Sequence, residues 1–347
     1  MPKNKAEAQD SDYDFPIVIA TMPATARQRA TALSVIVLIF VVALVIAPFA
    51  SIQVGQVDAF IPVVQTVLSV ADLVTATLLF SQYSLQPQSA LLVLASGYVC
   101  SGSFALLQTF AFPGGYASAG LIGDGRNSPA WLFVLWHTTF LSAALIYALS
   151  KDVELGPILD RRSSKPRIGL TIVCALVAIA GLTWAVTNGV GYLPKFYTES
   201  VTQQTRLGNL VNFAFCSMAA TALVILFIRR RTVLDLWLMV TLLASIPNFL
   251  VAAVASSVRF SVGWYAARGF ALVASCMLLS VLLTEMTFLY SRLAGVLTLQ
   301  RRERNEAGGL RQHSGVSQGE RHDPQRQTLR RRLRSVAPRG EHPRRGR

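Results

Sequence analysis

Eight runs of mainly apolar residues alternate with short polar connections along this chain. They lie at about 31–51, 58–82, 88–110, 130–150, 168–189, 207–228, 234–256 and 265–291. Each approaches the ~20 residues that an α-helix needs to cross the hydrocarbon of a bilayer. None shows the in–out alternation of a transmembrane barrel strand. The pattern predicts an all-α, polytopic integral membrane protein with about eight transmembrane helices. It also divides the chain into a polar leader at 1–30, a membrane domain at 31–291, a helical linker at 292–306 and a basic tail at 307–347. The first run is long enough to span and is followed by no clear small-residue cleavage site. It therefore reads as a span and not as a cleaved signal.

Charge sharpens this picture. Only 14% of residues are charged, against about 25% in soluble domains. The net charge of +14 is uneven: the last 47 residues hold 14 Arg, no Lys and five acids, which leaves +5 for the rest. The high overall charge thus makes no case for specific nucleic-acid recognition by the membrane domain. From about Gly308 the chain has few apolar residues and no periodicity, which predicts disorder. Its preference for Arg over Lys is also what a shifted reading frame of a GC-rich gene would give. The alternatives are a genuine basic tail on anionic lipid or on nucleic acid without sequence preference.

Orientation follows from Lys and Arg in the short connections. Residues 151–167 carry five of them and 229–231 is Arg-Arg-Arg, whereas 52–57 has none and 111–129 has Arg126 alone. Both termini are expected on the cytoplasmic side of an inner (plasma) membrane.

No catalytic triad, phosphate loop, kinase box or cyclase loop is present, and the connections are too short to hold a catalytic domain. The chain is not expected to be an enzyme. The four cysteines fall one per apolar run with no CxxC spacing, so neither disulfides nor zinc are indicated. A bis-histidine haem would need a second intramembrane histidine, so no cofactor is expected. Ionisable groups within apolar runs are costly and mark functional candidates. Asp72, His137 and Glu285 qualify, with Arg268 near the start of the eighth run. Trp136 flanks His137, whose imidazole titrates near neutral pH. Between Phe112 and Trp131 lies a loop with five glycines. It reads as a cap between the third and fourth helices, or as a ligand-facing loop using Tyr116, Asp124 and Arg126.

The segment FALLQTFAFPGGYASAGLIGDGRNSPAWLFVLWHTTFLSAALIYAL resembles bacterial membrane-associated sensor (MASE) domains of the fourth type. The resemblance is carried by Phe112-Pro113-Gly114, by Gly120-Leu121 with Gly123 and Gly125, by Ala130-Trp131-Leu132 and by Trp136-His137. It implies a sensory input module that feeds a cytoplasmic histidine kinase or diguanylate cyclase. The expected sensing residues are Asp72, Tyr116, Asp124, Arg126, Trp136 and His137. The last helix, with Glu285 and Arg292, would carry the signal inward. An output domain is expected after 306, and the Arg-rich tail stands in its place, as truncation or work with a separate cytoplasmic signalling partner would leave it. The bilayer and a second copy in a homodimer complete the expected partners. The alternative is a small-molecule or ion transporter using Asp72, His137 and Glu285 along one path.

Overall fold

Every apolar run folds as a helix in the computed structural model, which describes residues 22–152, 164–197, 205–230, 232–251, 253 and 260–321. The helices are α1 (Ala26–Ile46), α2 (Phe60–Leu85), α3 (Ser89–Ala111), α4 (Ser128–Ser150), α5 (Ser164–Asn188), α6 (Arg206–Arg229), α7 (Val233–Leu250) and α8 (Val262–Arg321). All eight contain a stretch long and apolar enough to cross a membrane. Among the described residues there is no strand, only a bridge between Gln53 and Ser261.

Local chemistry sets several boundaries. Thr25 with Gln28, and Thr232 with Asp235, form capping boxes at the starts of α1 and α7, satisfying amides that have no helical partner. Pro62 and Pro129 sit in first turns, where a missing amide hydrogen costs nothing. Pro247 lies inside α7 and offers no amide hydrogen to the carbonyl of Leu243. The helix ends three residues later, at Leu250.

Burial sorts the helices into centre and rim. Fourteen of 23 residues are buried on α3 and fourteen of 18 on α7, against two of 21 on α1 and four of 25 on α5. Leu33, Leu44, Val177 and Trp184 stand exposed on the rim helices, a belt that water would penalise and lipid tails accept. Helix α3 packs closely on α2 and α4. A Cβ on Gly97 would meet the Ala143 Cβ at 2.3 Å, and one on Gly102 would lie 2.9 Å from the Ser69 carbonyl oxygen. Small residues permit such approaches between membrane helices. Ile39 of α1, Ala244 of α7, and Phe270 and Ala274 of α8 form a further apolar cluster.

The connections gather at two ends. The loop end carries 47–59, 112–127 and 189–197. The basic end carries the start of α1, the turn at 86–88, Lys151 and Arg229.

The chain divides into a unit of Met1–Glu285 and one of Met286–Arg347. Helix α8 extends to Arg321, so it takes in 307–321, which the sequence assigned to the tail. Residues 1–21 of the polar leader and the rest of the tail, 322–347, lie outside the described residues, and α1 begins within the leader at Ala26.

Candidate functional site

Asp72, on α2, is 1% exposed. Its carboxylate Oδ2 accepts a hydrogen bond from the Ser101 hydroxyl of α3 at 2.5 Å. Ser101 Oγ in turn accepts from the Trp136 indole N–H of α4 at 2.7 Å. One polar chain therefore links three helices. Ser101 can fill both roles because a hydroxyl donates once and still accepts. The other carboxylate oxygen, Asp72 Oδ1, and the Tyr98 hydroxyl are both buried with no hydrogen-bond partner.

His137 is adjacent to Trp136 and 5% exposed. Its Nδ1 lies 2.9 Å from the Phe133 carbonyl oxygen. A carbonyl can only accept, so Nδ1 carries the proton and Nε2 of the neutral ring keeps its lone pair. The imidazole is packed between Phe133, Trp136, Phe215 and Phe249, with ring centroids 4.1 to 5.7 Å away. Asp72, Trp136 and His137 line one cavity of about 30 Å³ together with residues of α3, α7 and α8. A second cavity of about 60 Å³, towards the loop end, is lined by Gln108, Asn212, Trp264 and Arg268 among others, and Asn248 borders both. The Arg268 guanidinium lies over the Trp264 ring at 3.6 Å, a favourable cation–π arrangement.

The loop residues proposed from sequence do not line either cavity. Asp124 Oδ1 accepts from the backbone amides of Arg126, Asn127 and Ser128 at 3.1, 2.8 and 2.7 Å. It thereby closes the turn that leads into α4. Gly125 needs its left-handed φ of +68°, and a Cβ there would sit 2.5 Å from the Ala119 carbonyl oxygen. Tyr116 is more than half exposed and leans on Phe110, with ring centroids 5.5 Å apart. Arg126 is exposed. The loop binds back to α3 through Leu121 N–H on the Phe110 carbonyl at 2.7 Å. Its geometry is that of a cap.

Partial burial acts to raise the pKa of Asp124, but the three amide bonds and the Ser128 contact outweigh it and hold the carboxyl below its ordinary 3.8. A depressed carboxylate stabilises the fold fully above its unfolded value and loses that contribution as pH falls through the lower, folded value. Asp124→Ala is expected to lower stability by about 1 kcal/mol, as loss of a helix cap does. The deficit should be present at pH 7 and fade below pH ~4. Thermal unfolding of the two proteins across that range checks this.

At the basic end, Glu285 accepts a hydrogen bond from the Gln28 side chain of α1. It does not border the cavity of Asp72 and His137. Ten residues, about 15 Å of helix, separate it from Ser275, which does. Arg292 belongs to the second unit and continues α8. A buried cluster lies nearby that the sequence did not single out. Lys151 Nζ pairs with Asp235 Oδ2 at 2.5 Å, with side chains 6% and 0% exposed. Tyr147 donates to Asp235 Oδ1 at 3.0 Å, and Lys151 also donates to the Arg229 carbonyl at 2.7 Å. Asp235 simultaneously caps α7. In sequence Lys151 is one of five basic residues of the 151–167 connection, and Asp235 and Tyr147 carry no signal of their own. Only their convergence makes them a junction of α4, α6 and α7.

Among the described residues no group of three or more His, Cys, Asp and Glu comes together to hold a metal. The four cysteines are free.

The fold and its polar centre define a multi-pass helical membrane protein with a small ionisable cavity among its spans. Residues 55–290 match the family model MASE4, a membrane-associated sensor, integral membrane domain. The chain belongs to that family. No curated protein and no solved structure matches it.

Proposed function

We propose that the membrane domain senses a stimulus at the cavity of Asp72, Trp136 and His137 and passes it along α8 to a cytoplasmic output domain of the histidine kinase or diguanylate cyclase type. The observation that carries this reading is the cavity itself. It joins α2, α3, α4, α7 and α8, so a change in its occupancy or charge bears directly on the helix that leaves the membrane domain. Two packings of such a bundle, biased by the cavity, are enough to move α8 by a small shift or rotation. The output domain would lie on this polypeptide or on a separate signalling partner, and the sensor would act as a homodimer. Lys151, Arg229 and Arg230 share one end, and the positive-inside bias supports the reading that this end, with both termini, faces the cytoplasm of an inner membrane. A transporter would need Asp72, His137 and Glu285 along one path. The engagement of Glu285 with Gln28, away from the cavity, favours the sensor.

The test follows from helix geometry. Each inserted residue turns the following helix by about 100°. A diguanylate cyclase domain is joined after residue 306, and one to seven alanines are inserted after Ala294. Output is expected to rise and fall with insertion length at the helical period. Output that is independent of length would overturn transmission through α8.

A further inference from the structure

The Asp72 cavity has a second property. Its charge is one-sided. No Lys or Arg lines it, and Asp72 has no ion-pair partner among the described residues. A carboxylate taken out of water must be matched by a positive charge or a proton. The neighbouring polar groups are turned the same way. Thr241 spends its hydroxyl hydrogen on the Trp237 carbonyl at 3.1 Å, and Ser245 spends its own on the Thr241 carbonyl at 2.9 Å. Ser101 donates to Asp72 itself, and His137 Nδ1–H is committed to Phe133. What Thr241, Ser245, Ser101 and His137 have left is the capacity to accept, while Asn248 and Tyr98 in the same lining keep donors as well. Asp72 Oδ1 and the Tyr98 hydroxyl, each 1% exposed, remain without partners beside them. Ser275 lines the same cavity from α8. The cavity, at about 30 Å³, exceeds the ~10–15 Å³ that one water-sized occupant needs.

We infer that this cavity binds a small monovalent cation of the sodium or potassium class, held by the Asp72 carboxylate and by hydroxyl oxygens of α3, α7 and α8. Ligands from several helices make occupancy a link between their positions. The inference deepens the sensor reading by naming its stimulus class, and its own content is binding, which is measured without any output domain.

The titratable groups that line the cavity with Asp72 are Tyr98 of α3 and His137 of α4, and Cys276 follows Ser275 on α8. Arg268, two turns along α8 from Ser275, acts on His137. A proton is thus the natural competitor for the carboxylate, and the experiment separates the two. The full chain is placed in nanodiscs of zwitterionic lipid, and tryptophan emission is followed, since Trp136 is one hydroxyl away from Asp72. Sodium, potassium or N-methylglucamine chloride is titrated at constant ionic strength and pH. The expected result is a saturable change with sodium or potassium and none with N-methylglucamine. Asp72→Asn should abolish it, and Ser275→Ala and Tyr98→Phe should each weaken the apparent affinity severalfold. Should Asp72→Asn fail to give a monodisperse protein, the other two variants carry the test. An unsaturable response, the same response in all three salts, or wild-type affinity in Ser275→Ala and Tyr98→Phe overturns the proposal. So does a response to pH with none to the alkali cations, which would make the partner of Asp72 a proton. Normal cation binding combined with α8-independent output would instead leave the site standing and remove the sensor reading.

Discussion

Asp235→Ala is expected to destabilise the membrane domain by ~3–5 kcal/mol, the usual cost of breaking a buried ion pair by removing one partner. Three losses coincide. The Lys151 ammonium, 6% exposed, keeps only the Arg229 carbonyl as a described partner. The Tyr147 hydroxyl loses its acceptor. Helix α7 loses the carboxylate half of its capping box. Because α4, α6 and α7 meet at this point, the damage is not confined to one helix. Thermal unfolding in detergent, followed by tryptophan emission and size-exclusion profile, checks the expectation. Two companions make it specific. Tyr147→Phe should cost only about 1 kcal/mol, one hydrogen bond. The double change Lys151→Met with Asp235→Leu should be milder than Asp235→Ala alone, since it leaves no orphaned charge. Wild-type stability in Asp235→Ala would mean that the pair does not hold the three helices together.

The sequence made the membrane architecture readable because bilayer thickness fixes the length of each apolar run, and eight runs of that length became eight helices. Asp72 and His137 were legible for a related reason, as ionisable residues stand out against hydrocarbon. What lay beyond reach was their convergence. Ser101 is an ordinary serine in a sequence, and nothing in its spacing shows that it bridges Asp72 and Trp136. Tyr98, Thr241 and Ser275 are equally silent until α3, α7 and α8 are assembled. Asp235 and Lys151, 84 residues apart, could not be paired from spacing either. Asp124 is the opposite case. Asp124-Gly125 ahead of Asn127-Ser128-Pro129 is turn chemistry leading into a helix, and the glycines around it drew attention to ligand binding instead. The tail boundary was blurred because composition reports the lack of a core and says less about local helicity.

The second large effect concerns signalling, and here the cavity and the loop predict different outcomes. If the stimulus acts at the cavity, then changing Asp72 or His137 alters the balance between two packings, and coupling free energies of this kind are typically 1–3 kcal/mol, or about 5–150-fold. Tyr116 and Asp124 lie outside both cavities, so changing them should leave that balance nearly untouched. The most direct measurement is the cyclase activity, per folded molecule in nanodiscs, of the chain joined to a diguanylate cyclase domain after residue 306. Asp72→Asn and His137→Ala are each expected to shift that activity at least about fivefold, with Tyr116→Ala and Asp124→Ala staying within about twofold of the parent. Unchanged activity in both cavity variants, with a large shift in the loop variants, would contradict the account and move sensing to the loop.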